Sequence, residues 1–268
     1  MLTIVANGLQ TAYEVDGAGP PLVMLHGATI SGREQFARLA PVLARGFRVY
    51  LPDARGHAGT AGDPADGWTT ADLVADLTGF VDALGLGTFH LLGYSMGGMT
   101  ALHFASTYPE RLRTLVAISI GTEREPRLSV GRSLMDPDRI ERDDPGWARS
   151  LAARHDPSHG TGAWRRLLTA IVQDIADQPL LTATELRAID APTLVVAGDR
   201  DPFVPVPQAL ALSRQVRNGR LLILPGVGHD VPGETTPLLE IALTEFYRST
   251  EPVARERAGE SNVTEAAR

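Results

Sequence analysis

An α/β fold built on a mostly parallel, wound sheet is the class that this 268-residue sequence predicts, and three observations predict it. Short continuous apolar runs recur along the chain, in "PPLVMLHG", "FRVYLP", "FHLLGY", "LRTLVAIS", "PTLVVAGD" and "RLLILPG". Each is bounded by Gly, Pro or Asp and lacks the alternation of a half-exposed antiparallel strand, so each reads as a strand buried on both faces. Helically spaced stretches lie between several of them, and strands alternating with helices describe a sheet with helices packed on its faces.

The elements follow in order. The opening "LTIVANGLQTAYEVDG" centres on Asn7-Gly8, a dipeptide suited to a tight hairpin, and predicts a hairpin at the sheet edge. After the third strand, "REQFARLAPVLA" reads as a helix. "FRVYLP" is the fourth strand, and "TTADLVADLTGFVDALG" is the helix that leads to the fifth, "FHLLGY". "GGMTALHFASTYPE" is the next helix and "LRTLVAIS" the sixth strand.

From about Gly121 to Ile189 the rhythm changes: charged, Pro-bearing segments give way to helix-like stretches with no strand candidate. Residues 121–189 therefore predict a helical cap inserted into a core made of residues 1–120 and 190–249. An insertion that leaves one strand and returns before "PTLVVAGD" lies over the edge where open α/β sheets bind ligands. "PQALALSRQV" is the helix between the last two strands, and residues 250–268, polar and rich in small side chains, read as a flexible tail.

Composition narrows the chemistry. A hydrophobic content of 43% allows a sizeable core, and a formal net charge of -7 argues against nucleic acid or an anionic membrane surface as partner. All 25 basic residues are arginine. Without lysine there is neither a Schiff base nor the phosphate-binding loop that ends in Gly-Lys-Ser/Thr. Cysteine is absent, which removes thiolate nucleophiles and cysteine-ligated metal sites. The start has no basic stretch leading into an apolar core, and no run of 18 apolar residues occurs, so a cytoplasmic location is expected.

The chemical signal is Gly93-Tyr94-Ser95-Met96-Gly97, directly after one predicted strand and directly before a helix. In that context G-x-S-x-G is a strained turn that presents the serine at its apex, with the positive end of the following helix aimed at it. A serine hydroxyl needs a base, and the base an orienting acid. "GDRDPFVP" and "GVGHD" follow successive strands and supply Asp201 and His229 at the same sheet edge, in the chain order Ser, Asp, His.

Four segments, "LHGATISG", "LPDARGHAGT", "GYSMGGM" and the pair "GDRDPFVP" with "PGVGHDVPGE", make the chain resemble an α/β-hydrolase fold enzyme over roughly residues 9 to 248. Within that superfamily it is similar to the enol-lactonase, carboxylesterase, haloperoxidase-like and carbon–carbon bond hydrolase branches. The resemblance implies Ser95 as nucleophile, His229 as general base and then acid, and Asp201 as the group that fixes the imidazole. The family's spacing selects Asp201 over Asp199, which is expected to form a turn. It also implies an oxyanion hole made by the backbone N–H groups of Ala28 and Met96. An aspartate nucleophile, as in epoxide hydrolases and dehalogenases, is excluded because Ser95 stands at the elbow.

Other residues are expected to be structural. His26 and His57 belong to loops that recur in the family, His90 to a buried strand, His103 to packing, and His155 and His159 to a solvated loop, with substrate contact as the sharper alternative. Asp53 and Arg55 read as an ion pair that pins a loop or as a substrate clamp, Asp230 as a solvated neighbour, and Trp147 and Trp164 as cap packing. Tyr94, beside the nucleophile, is expected to shape the substrate pocket. No metal and no cofactor are expected, because H-E-x-x-H and cysteine pairs are both missing. The function expected is hydrolysis of a small carboxylic ester or lactone through an acyl-enzyme. Thioester or carbon–carbon cleavage by the same triad, and a ligand-binding module without turnover, are the alternatives.

Overall fold

A computed structural model describes residues 1–250 except 65, 66 and 235. Among the described residues eight strands form one sheet: β1 (Leu2–Ala6), β2 (Leu9–Asp16), β3 (Pro21–Leu25), β4 (Arg48–Pro52), β5 (Phe89–Tyr94), β6 (Leu112–Ile118), β7 (Thr193–Gly198) and β8 (Gly219–Leu224). Their spatial order is β1-β2-β4-β3-β5-β6-β7-β8. The β1–β2 and β2–β4 pairs are antiparallel. From β4 to β8 every pair is parallel. All six residues of β5 and all six of β7 are buried, as expected of strands covered on both faces.

The opening hairpin turns on Asn7 and Gly8, both with positive φ (49° and 76°), the backbone that a two-residue turn demands. Between β3 and β4 the expected single helix is replaced by two short ones, α1 (Gly32–Gln35) and α2 (Ala40–Leu43). Pro41, near the start of α2, has no N–H to continue a helix from α1, so the segment breaks there. The helix α3 (Thr70–Ala83) starts on a Thr69 side-chain cap, and α4 (Met96–Thr107) starts directly after Ser95.

Five helices occupy the interval between β6 and β7, and no strand occurs there: α5 (Arg127–Leu134), α6 (Pro137–Asp143), α7 (Pro145–His159), α8 (Ala163–Asp177) and α9 (Ala183–Ala188). Two more, α10 (Val206–Gln215) and α11 (Pro237–Thr250), complete the described chain. Most of the tail expected at 250–268 lies outside the described residues, and Thr250 itself ends α11.

Two apolar layers sandwich the sheet. Residues of α3, α4 and α10, among them Phe80, Phe104 and Leu212, pack on one face. Phe36, Leu39 and Phe246 pack on the other. The insertion has a third cluster of its own, in which Trp164, Leu167, Leu168 and Ile171 of α8 meet Leu151 of α7 and Trp68 and Leu73 from the core. Its last helix, α9, instead buries Leu186 in the sheet's own core. The order of strands reverses at β3, which is flanked by β4 and β5. Loops leaving β3 and β5 diverge at such a point and open a crevice between them. Among the described residues no helix is long and apolar enough to cross a membrane.

Candidate active site

Ser95 sits on the turn between β5 and α4 with φ 51° and ψ -113°, a backbone that a residue with a side chain rarely adopts. Its glycine neighbours make the turn possible. A Cβ on Gly93 would lie 2.2 Å from the Gly97 carbonyl oxygen, and one on Gly97 would lie 2.4 Å from that of Leu25. The turn is also pinned by hydrogen bonds from Ser95 N to Ile118 O (2.9 Å) and from Gly97 N to His26 O (3.1 Å).

The structure brings the three expected side chains together from three loops. Ser95 Oγ is 3.0 Å from His229 Nε2, and His229 Nδ1 is 2.8 Å from Asp201 Oδ2. Asp201 lies on the turn after β7, its side chain fully buried, and its other oxygen accepts from Phe203 N (2.8 Å) and Val204 N (3.1 Å). Those two amides fix the carboxylate so that Oδ2 faces the imidazole. His229, after β8, is held by its own carbonyl, which accepts from Ser119 Oγ at 2.9 Å. The Phe203 ring lies over the imidazole at 4.3 Å between centroids and 31° between planes. A neutral ring with its proton on Nδ1, donated to Asp201, leaves Nε2 as the acceptor for the serine proton.

Ala28 and Met96 line the same cavity as Ser95, and among the described residues neither backbone N–H is used in a hydrogen bond within the protein. Met96 opens α4, where an N–H has no intrahelical partner. The loop that carries Ala28 is set by His26, whose Nδ1–H donates to Gly27 O (2.7 Å) while Nε2 accepts from Ala54 N (2.9 Å). Both bonds require the neutral ring, and burial pushes the His26 pKa down. Gly27 has no room for a side chain, since a Cβ there would fall 2.5 Å from the Tyr94 ring.

A cavity of about 220 Å³ opens beside Ser95 and His229. The core contributes Ala28, Tyr94 and Phe203, and the helical insertion contributes Leu134, Trp147 and Ile171. Tyr94 lines this cavity, and burial pushes its phenol well above the ordinary range. Trp164 belongs to the apolar cluster of the insertion, and Trp147 packs against that cluster while also lining the cavity.

Several expectations need correction. His155 is not in a solvated loop: it lies on α7, fully buried, and His159 is half-buried at the end of the same helix. The ring of His155 spans insertion and core, accepting at Nδ1 from Ala58 N (3.2 Å) and donating from Nε2 to Thr29 O (3.3 Å). Asp53 and Arg55 do pin the loop after β4, but with other partners. Asp53 accepts from Gly32 N (2.9 Å), and Arg55 pairs with Asp76 at 2.6 Å. Asp230 is exposed yet tied down, accepting from Gln35 Nε2 at 2.7 Å. Asp199 stands on a turn after β7, as expected, and its carboxylate accepts from Gly226 N at 2.6 Å, tying that turn to the segment after β8. Among the described residues no cluster of three or more His, Asp or Glu side chains is arranged to hold a metal ion.

Two charged residues of the cavity, Arg127 and Asp174, were not singled out from the sequence, nor were the polar Thr29, Thr70 and Gln178. Asp174 left a trace, because it falls on the apolar stripe of α8 after Trp164, Leu167, Leu168 and Ile171, where an exposed acid would not stand. Arg127 left only a faint one, a shared buried face with Leu128 and Gly131 of α5.

Fold and site define an enzyme of the α/β-hydrolase class. A family model described as the alpha/beta hydrolase fold matches residues 20–179, and one described as a TAP-like protein matches residues 169–254. The chain belongs to the alpha/beta hydrolase family. It is similar to a 2-hydroxymuconate semialdehyde hydrolase of Pseudomonas putida, 30% identical over 261 residues that cover 84% of this chain and 86% of that protein. A pyrrolizixenacetamide deacetylase of Xenorhabdus hominickii is 24% identical over 235 residues, covering 82% of this chain and 88% of the relative. Among solved structures, a meta-cleavage product hydrolase of Pseudomonas fluorescens shares the fold with a TM-score of 0.76 and 22% identity, covering 93% and 98% of the two chains.

Proposed function

We propose that the protein hydrolyses a small, largely apolar carboxylic ester or lactone through an acyl-enzyme on Ser95. The observation that carries this reading is the continuous hydrogen-bonded chain from Ser95 Oγ through His229 to Asp201, opening on a mostly apolar cavity. In the first half-reaction Ser95 Oγ bonds to the substrate carbonyl carbon while His229 Nε2 takes its proton, and Asp201 stabilises the imidazolium. The carbonyl oxygen becomes an oxyanion between the Ala28 and Met96 amides. Where such donors have been removed elsewhere the cost is about 3 to 4 kcal/mol each. Collapse expels the alcohol, which takes the proton from His229. Water then repeats the sequence and frees the acid and Ser95.

Carbon–carbon cleavage by the same residues is a second reading, favoured by the likeness to the 2-hydroxymuconate semialdehyde hydrolase. There the leaving group is a carbanion stabilised as an enolate, which His229 would protonate on carbon. Steady-state turnover of p-nitrophenyl acetate, butyrate and octanoate, beside a vinylogous 1,5-diketone, separates the two. Fast ester turnover that peaks with a short or medium acyl chain supports the ester reading. Turnover of the diketone alone supports the second, and turnover of neither contradicts both.

A further inference from the structure

The cavity beside Ser95 contains a charged group that acyl transfer leaves unused. Arg127, the first residue of α5, lines that cavity while only 9% exposed. Its Nε and Nη2 are buried and, among the described residues, have no hydrogen-bond partner. Burial pulls its pKa down to about 10, which still leaves the guanidinium charged at neutral pH. A buried cation with idle donors is costly, and a cation at the first position of a helix also opposes the helix dipole.

The nearby Asp174 carboxylate offsets part of that charge, but among the described residues no protein group accepts from the two nitrogens. Asp174, the acid on the same cavity, spends its oxygens on Thr70, accepting from the backbone N at 2.8 Å and from Oγ1 at 2.6 Å. The neighbouring cation, Arg124, is consumed by carbonyls at the end of α8, those of Ile175 (2.8 Å), Ala176 and Gln178 (3.0 Å). These bonds, with one from Gln208 Nε2 to Glu125 O at 2.6 Å, also hold the segment that carries Arg127 in place. The two idle nitrogens share one edge of the planar guanidinium. That edge is the fork that grips both oxygens of a carboxylate.

We propose that Arg127 is a specificity-determining residue that binds a carboxylate on the substrate, so that the preferred substrates are monoanionic esters or lactones with the acid at Arg127 and the scissile carbonyl at Ser95. This rests on the hydrolase reading above. Asp174, facing the same space, disfavours a second negative charge.

The first test needs only the wild-type protein: inhibition of p-nitrophenyl valerate turnover by monomethyl glutarate, a monoanion, against neutral dimethyl glutarate. The anion should compete about tenfold to a hundredfold more tightly, the range expected for hydrogen bonds to a charged group. Equal inhibition overturns the proposal. The second test compares kcat/KM for the p-nitrophenyl monoester of glutaric acid and for the valerate. In Arg127→Gln the ratio of the two should fall by a similar factor, and Arg127→Lys should recover part of it. A ratio unchanged in Arg127→Gln overturns the assignment, whatever happens to the absolute rates. If no Ser95-dependent ester turnover exists, the hydrolase reading is what fails. Calorimetric titration of Ser95→Ala with monomethyl glutarate then tests Arg127 alone: binding lost on adding Arg127→Gln supports it, and no binding overturns it.

Discussion

Acid should weaken the joint between the helical insertion and the core through His155. The ring is fully buried and makes two bonds to core loops, accepting from Ala58 N and donating to Thr29 O, next to the proposed oxyanion-hole residue Ala28. Only the neutral imidazole can do both. Burial is the largest cause that pulls its pKa from 6.5 down to about 4. The unfolded chain therefore takes up the proton more readily than the folded one. The stabilisation is complete above pH 6.5, drains away as the pH falls towards about 4, and levels off below that. At about 1.36 kcal/mol per unit the whole interval is worth about 3 kcal/mol, of which about 2 kcal/mol is lost between about pH 7 and pH 4.5. Burial pushes His26 and His57 in the same direction and steepens the total slope. His155→Gln isolates one ring, since the amide can still accept from Ala58 and donate to Thr29 but does not titrate. Urea unfolding at the two pH values should show the wild type losing about 2 kcal/mol more than the variant. Equal losses in the two proteins would refute the assignment.

Two further substitutions probe the elbow and the orienting acid. Gly97→Ala places a Cβ 2.4 Å from Leu25 O and 2.6 Å from His26 O, both backbone. It should cost about 1 to 3 kcal/mol in unfolding measurements and displace Ser95 enough to lower kcat, and an unaffected kcat would show that the turn has slack. Asp201→Asn keeps the shape but can present an amide N–H to His229 Nδ1, favouring the wrong tautomer. A loss of kcat of about ten-thousandfold with little change in Tm is expected, and a loss under tenfold would remove Asp201 from its role.

Much of this was legible in the chain itself. The parallel strands were legible because burial on both faces leaves continuous apolar runs, as in the fully buried β5 and β7. The elbow was legible because Gly93 and Gly97 are required by contacts closer than any Cβ tolerates. Asp201 and His229 were legible because each follows a strand and so falls at the same edge, with the choice of Asp201 over Asp199 taken from the family resemblance. What stayed hidden depended on contacts far apart in sequence. His155 looked like part of a polar loop because its partners, Thr29 and Ala58, belong to the core. Arg127 stands in a charged, Pro-bearing stretch in which nothing local marks it out, and the packing of α5 against α8 encloses it. Asp53 and Arg55 sit two residues apart, yet they turn to different neighbours, Gly32 and Asp76.

The central claim is that Ser95, activated by His229, forms a covalent bond to the group it attacks. Intact-mass measurement after exposure to a fluorophosphonate, on wild type, Ser95→Ala and His229→Ala, tests it most directly. One adduct on the wild type, mapped to Ser95, none on Ser95→Ala, and labelling of His229→Ala slowed by about a thousandfold or more are predicted. A folded wild type that takes no label, or equal labelling of Ser95→Ala, would contradict it.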